Sequence, residues 1–117
     1  MMRKTRNALS IKQPWADSIM DGIKTWEYRS MPTNVRGRVY IYASKKPLNL
    51  ETTEGWSAWA NGGFKENLPI GKILGSVDIV DCEKYGEQYR WRLSKPKRLK
   101  SPIKPTKHPQ PVFFKPF

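Results

Sequence analysis

Six of the chain's prolines lie beyond Ser94, at positions 96, 102, 105, 109, 111 and 116. Each fixes its own φ and lacks a donor N–H, so this tail cannot be helical. It is expected to cross the body of the fold in extended form and to add a last short strand at Val112-Phe113-Phe114.

The remaining pattern agrees. Asn7–Lys12 reads as a first strand. Pro14 suits a first helical turn, Trp15/Ile19 and Ala16/Met20 stand four apart, Asp17 favours the helix dipole and Gly22 ends the segment. One helix over residues 14–21 follows. Lys24-Thr25-Trp26-Glu27-Tyr28-Arg29 alternates in the strand period, with Trp26 and Tyr28 expected in the core and Thr25, Glu27 and Arg29 on the other face. Arg38–Ser44 is β-branched and aromatic, the composition of a buried or half-buried strand. Residues 48–69 are acidic and irregular, with Trp56 and Trp59 marking a helical turn before Asn61-Gly62-Gly63 breaks it. Strand character returns at Lys72–Cys82, where Gly75 signals a bulge or a close backbone approach, and at Tyr89–Leu93. The fold class is therefore mainly β with one or two short helices, arranged as a small β-barrel. At 117 residues it is a single domain, 1–117, with one real core.

Charge narrows the partner. The net charge is +12, unevenly distributed. Residues 1–50 carry ten Lys or Arg against three acids, residues 51–89 three against seven, and residues 90–117 nine against none. Such a surface attracts polyanions and releases their counterions on contact. A nucleic acid is the leading expectation, with a generic basic face as the competing reading; charge does not separate RNA from DNA, because both present the same phosphates. No run of apolar residues is long enough for a membrane span, and the basic start Met1–Arg6 leads into no signal-peptide core. One cysteine and one histidine offer neither a disulfide nor a zinc site, so no metal and no cofactor are expected. A cytoplasmic monomer fits these features. Gly71–Gly75 lacks the Lys-Ser/Thr ending of a phosphate-binding loop, and Thr53-Glu54 is no glycosidase acid pair.

The informative segment is Gly22–Arg29. It sets Lys24 at a helix-to-strand corner, with Glu27 between cations and so ionised. Such a carboxylate accepts hydrogen bonds from a guanidinium or a base amino group; an ordinary cross-strand ion pair is the competing reading.

Here the chain resembles the ASCH domain family of the PUA-like group. The likeness rests on the lead-in Leu9-Ser-Ile-Lys-Gln-Pro-Trp-Ala16 and a G-x-K-x-x-E-x-R signature complete at Gly22, Lys24, Glu27 and Arg29. It extends through Arg38–Lys46, Leu68–Cys82, Tyr89–Leu93 and Pro102-Ile103. The resemblance implies a PUA-like β-barrel with a groove lined by the signature and a role in binding nucleic acid, RNA being the leading partner and DNA a possible one. Lys12, Lys24, Arg29, Lys45 and Lys46 would hold phosphates. Gln13, Thr25, Glu27 and Ser44 would bond a splayed base, and Trp15, equally suited to the core beside Ile19, would stack on it. Some small bacterial relatives look instead like hydrolases of acylated cytidine that use a lysine, a threonine and a glutamate. Lys24 matches that lysine and would be the catalytic residue if the chain is an enzyme, either an amidohydrolase on acylated cytidine or a ribonuclease. The threonine position holds Glu27, and the distant glutamate has no secure counterpart, Glu83 and Glu87 being the candidates. A carboxylate beside Lys24 would raise its pKa, which speaks against a general base. A small-ligand or protein adaptor using the same groove is the third reading.

Overall fold

The structure, a computed structural model, describes residues 6–117; Arg3 and Lys4 of the basic start lie outside the described residues. Eight elements follow in order: β1 (Ala8–Ile11), α1 (Trp15–Met20), β2 (Trp26–Arg29), β3 (Gly37–Ala43), α2 (Thr53–Asn61), β4 (Lys72–Tyr85), β5 (Gln88–Ile103) and β6 (Phe113–Phe114). The fold is mainly β with two short helices, as the pattern predicts. The strands form one sheet in the order β2-β5-β4-β3-β1-β6, parallel between β1 and β3 and antiparallel elsewhere.

The barrel expectation needs correction, because this sheet is not closed. Closure would require β2 to pair with the opposite edge, which is the two-residue β6 or, in its place, β1 behind it. The free edge of β1 is already taken by β6, through Ala8↔Phe114 and Leu9↔Phe113, and by the Ser10 N–H, which donates to the Val112 carbonyl at 2.8 Å. The proline-rich tail therefore occupies the edge where the barrel would shut. Side chains bridge what remains. Trp91 of β5 stacks on Phe113 of β6 at 5.6 Å between centroids, with the rings 3° from parallel. The Arg29 Nη2 of β2 donates to the Ser10 carbonyl of β1 at 2.9 Å.

The core fills the concave side, where Leu9, Ile11, Val39, Ile41, Val77, Ile79, Trp91 and Leu93 pack with Ile19 and Met20 of α1. β3 is buried on both faces. Tyr40 and Tyr42 point the other way, onto Phe117 and Phe114 in edge-to-face contacts at 6.0 and 5.2 Å. The tail thus seals the back of the sheet.

β5 is longer than the sequence suggests and runs through Pro96 and Pro102. It can do so because the ladder with β4 is irregular at both places. Ser76 pairs with Lys97 and Asp78 with Ser94, which leaves Lys95 (φ 53°) and Pro96 in a bulge opposite Val77. Gly75 fulfils both sequence readings: the register shifts there, and a Cβ on it would collide with the Lys97 carbonyl and with Met20 Sδ at 2.7 Å.

α2 exceeds the single turn expected. It spans nine residues, Thr52 caps it by accepting from the Gly55 N–H at 2.9 Å, and Gly62 follows it as the sequence requires. None of the described helices is long and apolar enough to cross a membrane.

Candidate functional site

The seam between β2 and β1 opens into a cavity of about 370 Å³. The chain delivers Lys24 to it by a short local device. Gly22 takes a left-handed φ of 76°, and the N–H groups of Ile23 and Lys24 both donate to the Ser18 carbonyl, at 3.0 and 3.1 Å. This hooks Lys24 back toward α1, where its Nζ lies 3.7 Å from the Trp15 ring centroid and 5.2 Å from that of Tyr28.

Glu27 sits between two cations. One oxygen is 3.6 Å from Lys24 Nζ; the other accepts from Arg29 Nε at 2.9 Å and Nη2 at 2.8 Å. Lys24 and Glu27 are nearly enclosed, with side chains 9% and 10% exposed, whereas Arg29 keeps 23%. Burial draws the Lys24 ammonium below its ordinary pKa of 10.5, and the opposing pull of Glu27 does not overcome it. The sequence argument weighed only the carboxylate; desolvation is the larger cause.

The two faces of β2 are separated as the alternation predicts, but the assignment of core and surface is reversed. Glu27 pairs across the ladder with the fully buried Trp91 and points inward, while Trp26 and Tyr28 pair with Arg92 and Arg90 and face outward. The Arg90 guanidinium lies 4.1 Å from the Trp26 ring centroid and 4.5 Å from that of Tyr85. Hydrophobicity places tryptophan inside; here the inward face of β2 borders a polar cavity, the outward Trp26 is covered by Arg90 and Arg92, and the exposed Tyr28 meets Tyr85 at 5.7 Å between centroids.

Of the residues singled out from sequence, Lys12, Trp15, Lys24, Glu27, Arg29 and Ser44 come together around the cavity. Gln13 does not. It is fully buried, its amide donating to the Pro69 carbonyl and its oxygen accepting from the Asp17 N–H, both at 2.9 Å, so it ties α1 to the loop before β4. Thr25 lines a neighbouring cavity, and Lys45 and Lys46 are exposed beyond the rim. Glu83 is paired with Arg90 at 2.9 Å on the β4–β5 hairpin, and neither it nor Glu87 lines the cavity. Sequence reasoning missed Tyr28, Glu54 and the Pro111-Val112 edge. Glu54 and the tail arrive from distant segments and carry no local signal; Tyr28 lies on the outward face of β2 yet lines the cavity, which strand alternation does not foretell. The acidic segment is a wall: Leu48 and Glu54 line the cavity, and the Trp59 indole N–H donates to the Leu48 carbonyl at 3.0 Å. Among the described residues no cluster of His, Cys, Asp and Glu could hold a metal ion.

The family model for the ASCH domain matches residues 9–106. The chain belongs to the ASCH domain family. This match takes in the Gly22–Arg29 segment and every strand except β1's first residue and β6. Among curated proteins, the ASCH chain is similar to human (Homo sapiens) "Activating signal cointegrator 1", 38% identical over 90 residues, covering 69% of this chain and 16% of that protein. The mouse (Mus musculus) protein of the same name is 37% identical over the same length and coverage. This chain therefore corresponds to a small part of those relatives.

Proposed function

We propose that this ASCH domain is a nucleic-acid-binding module whose ligand is RNA, held in the seam cavity. Family membership and the relatives' name fit a nucleic-acid-related or interaction role. The observation that carries the RNA reading is the Lys24–Glu27–Arg29 line at the cavity wall, in a chain of net charge +12. Lys24, Arg29 and Lys12 supply positive charge for a phosphate. Glu27 holds the two signature cations in place, leaving Glu54 and Ser44 for a base edge. Trp15 and Tyr28 offer rings for stacking. Lys45, Lys46, Arg92, Lys95 and Lys97 extend the positive surface, whereas Arg98 is engaged elsewhere, with Asp17 and Asp21.

The test is binding of short single-stranded and duplex RNA and DNA at two salt concentrations, with wild type beside Lys24→Ala. Affinity should fall as salt rises. Lys24→Ala should weaken RNA binding roughly tenfold or more, the size of a lost charged hydrogen bond. Affinity indifferent to salt overturns the reading. The hydrolase reading is favoured by one observation, the lowered Lys24 pKa beside Glu27, so the same preparations should be assayed for release of cytidine from its acylated form. Turnover that Lys24→Ala abolishes would make the cavity catalytic.

A further inference from the structure

Trp15, Lys24 and Tyr28 line the seam cavity and also line a second one, again of about 370 Å³, that adjoins it. The second cavity differs in character. Its remaining walls bring Trp26, Ile23 and Ala58 as apolar surface, with Ser18, Thr25 and Asn61 as polar groups. It has no carboxylate in its lining, whereas the first has two, Glu27 and Glu54. The partition between the two carries one cation.

That arrangement matches the repeat of a single strand of nucleic acid, in which one phosphate separates two bases. An ammonium has three donors; Glu27 engages one side of Lys24 and the Trp15 ring face another, which leaves one for a phosphate at the partition. Aromatic walls hold a base through its π-face whatever its identity, and the Asn61 amide offers both a donor and an acceptor to a base edge. Beyond Trp26, Arg92 lies 5.5 Å from its ring centroid, a cation placed where a following phosphate would pass, while Arg90, 4.1 Å from the same centroid, is paired with Glu83.

We propose that the second cavity receives the base next to the one held in the seam, so that the domain grips a dinucleotide step of single-stranded RNA astride Lys24. This rests on the RNA reading above and deepens it. Two bases seated in separate cavities cannot at the same time be stacked and paired in a duplex, so the site selects single strands.

The experiment is a titration of random-sequence RNA of one, two, three and six nucleotides against wild type, Trp26→Ala and Ile23→Asp. Wild-type affinity should rise by at least about fivefold from one nucleotide to two, the worth of one stacked base, and more gently thereafter. Trp26→Ala should erase that step and leave mononucleotide affinity unchanged. Ile23→Asp should do the same from a position 61% exposed, where folding is not at stake. A step that persists in both variants, or affinity that climbs evenly with length as charge alone dictates, overturns the second cavity while leaving the RNA reading in place. Failure of wild type to bind any of the RNAs overturns both.

Discussion

Two clusters in this molecule use the same ingredients to different ends. Around Glu27, one buried carboxylate faces Lys24 and Arg29; around Asp17, one buried carboxylate faces Lys65 and Arg98 at 3.0 and 2.8 Å. The second cluster has an extra member, Asp21, which meets the same two cations at 2.8 and 2.6 Å. Its charges balance, its cations reach solvent, and it clamps α1 to β5 and to the loop after α2. The first cluster carries a surplus positive charge, encloses its lysine and borders a cavity. The difference teaches that ionic residues mark a binding site through what is left unneutralised beside empty space, not through the presence of ion pairs.

The comparison can be broken by deleting each carboxylate in turn. Glu27→Ala should have the larger effect, costing on the order of 3 kcal/mol of stability by chemical denaturation, because Lys24 is left enclosed without its countercharge. It should also weaken RNA binding, since Lys24 and Arg29 lose their fixed positions. Asp17→Ala should cost only about 1–2 kcal/mol, because Lys65 and Arg98 keep Asp21 and remain 47% and 42% exposed in their side chains. RNA affinity of that folded variant should be unchanged. A loss of affinity in Asp17→Ala as large as in Glu27→Ala would erase the distinction.

Acid sharpens it further. Hydrogen bonds from Lys65 and Arg98 hold the Asp21 carboxyl below its ordinary value of 3.8. Its contribution to stability is therefore complete above pH 3.8 and is lost as pH falls through the lower folded-state value. Thermal melts in acid should show Asp21→Asn with a shallower decline than wild type below pH 3.8. The smallest effect is expected at Trp26. Its position on the outward face of β2 predicts that Trp26→Ala costs under about 1 kcal/mol, where a core tryptophan would cost about 3–5. A loss in the larger range would restore the sequence assignment of Trp26 to the core.

What the sequence made legible was local. Gly22, Lys24, Glu27 and Arg29 lie within eight residues, and a turn followed by a strand is enough to gather them. Most of the strands and both helices were legible for the same reason, since periodicity and glycine or proline punctuation are properties of a few neighbouring residues. Gln13, a polar residue in the lead-in, suits a base contact by type alone; its partners, the Pro69 carbonyl and the Asp17 N–H, include one that only the tertiary fold supplies. The orientation of β2 failed for a sharper reason. Hydrophobic alternation says which residues share a face, but a strand beside an internal cavity can send its charged face inward, and nothing in the pattern marks that exception. Barrel closure was lost to the tail, whose extended form was legible while its seat on the β1 edge was not.

The contact across the seam has a consequence for motion. Neighbouring strands in the sheet are joined by backbone ladders, whereas β2 and β1, which are not neighbours in it, are bridged across the seam by the Arg29 guanidinium on the Ser10 carbonyl. That edge can open without the rest of the sheet unfolding, so its amide hydrogens should exchange by a local event rather than a global one. A ligand that fills the gap and touches both walls favours the closed form over the open one. Binding is then linked to folding, and occupancy becomes measurable as slowed exchange along β2 and a raised melting temperature, by a route that needs no label on the ligand.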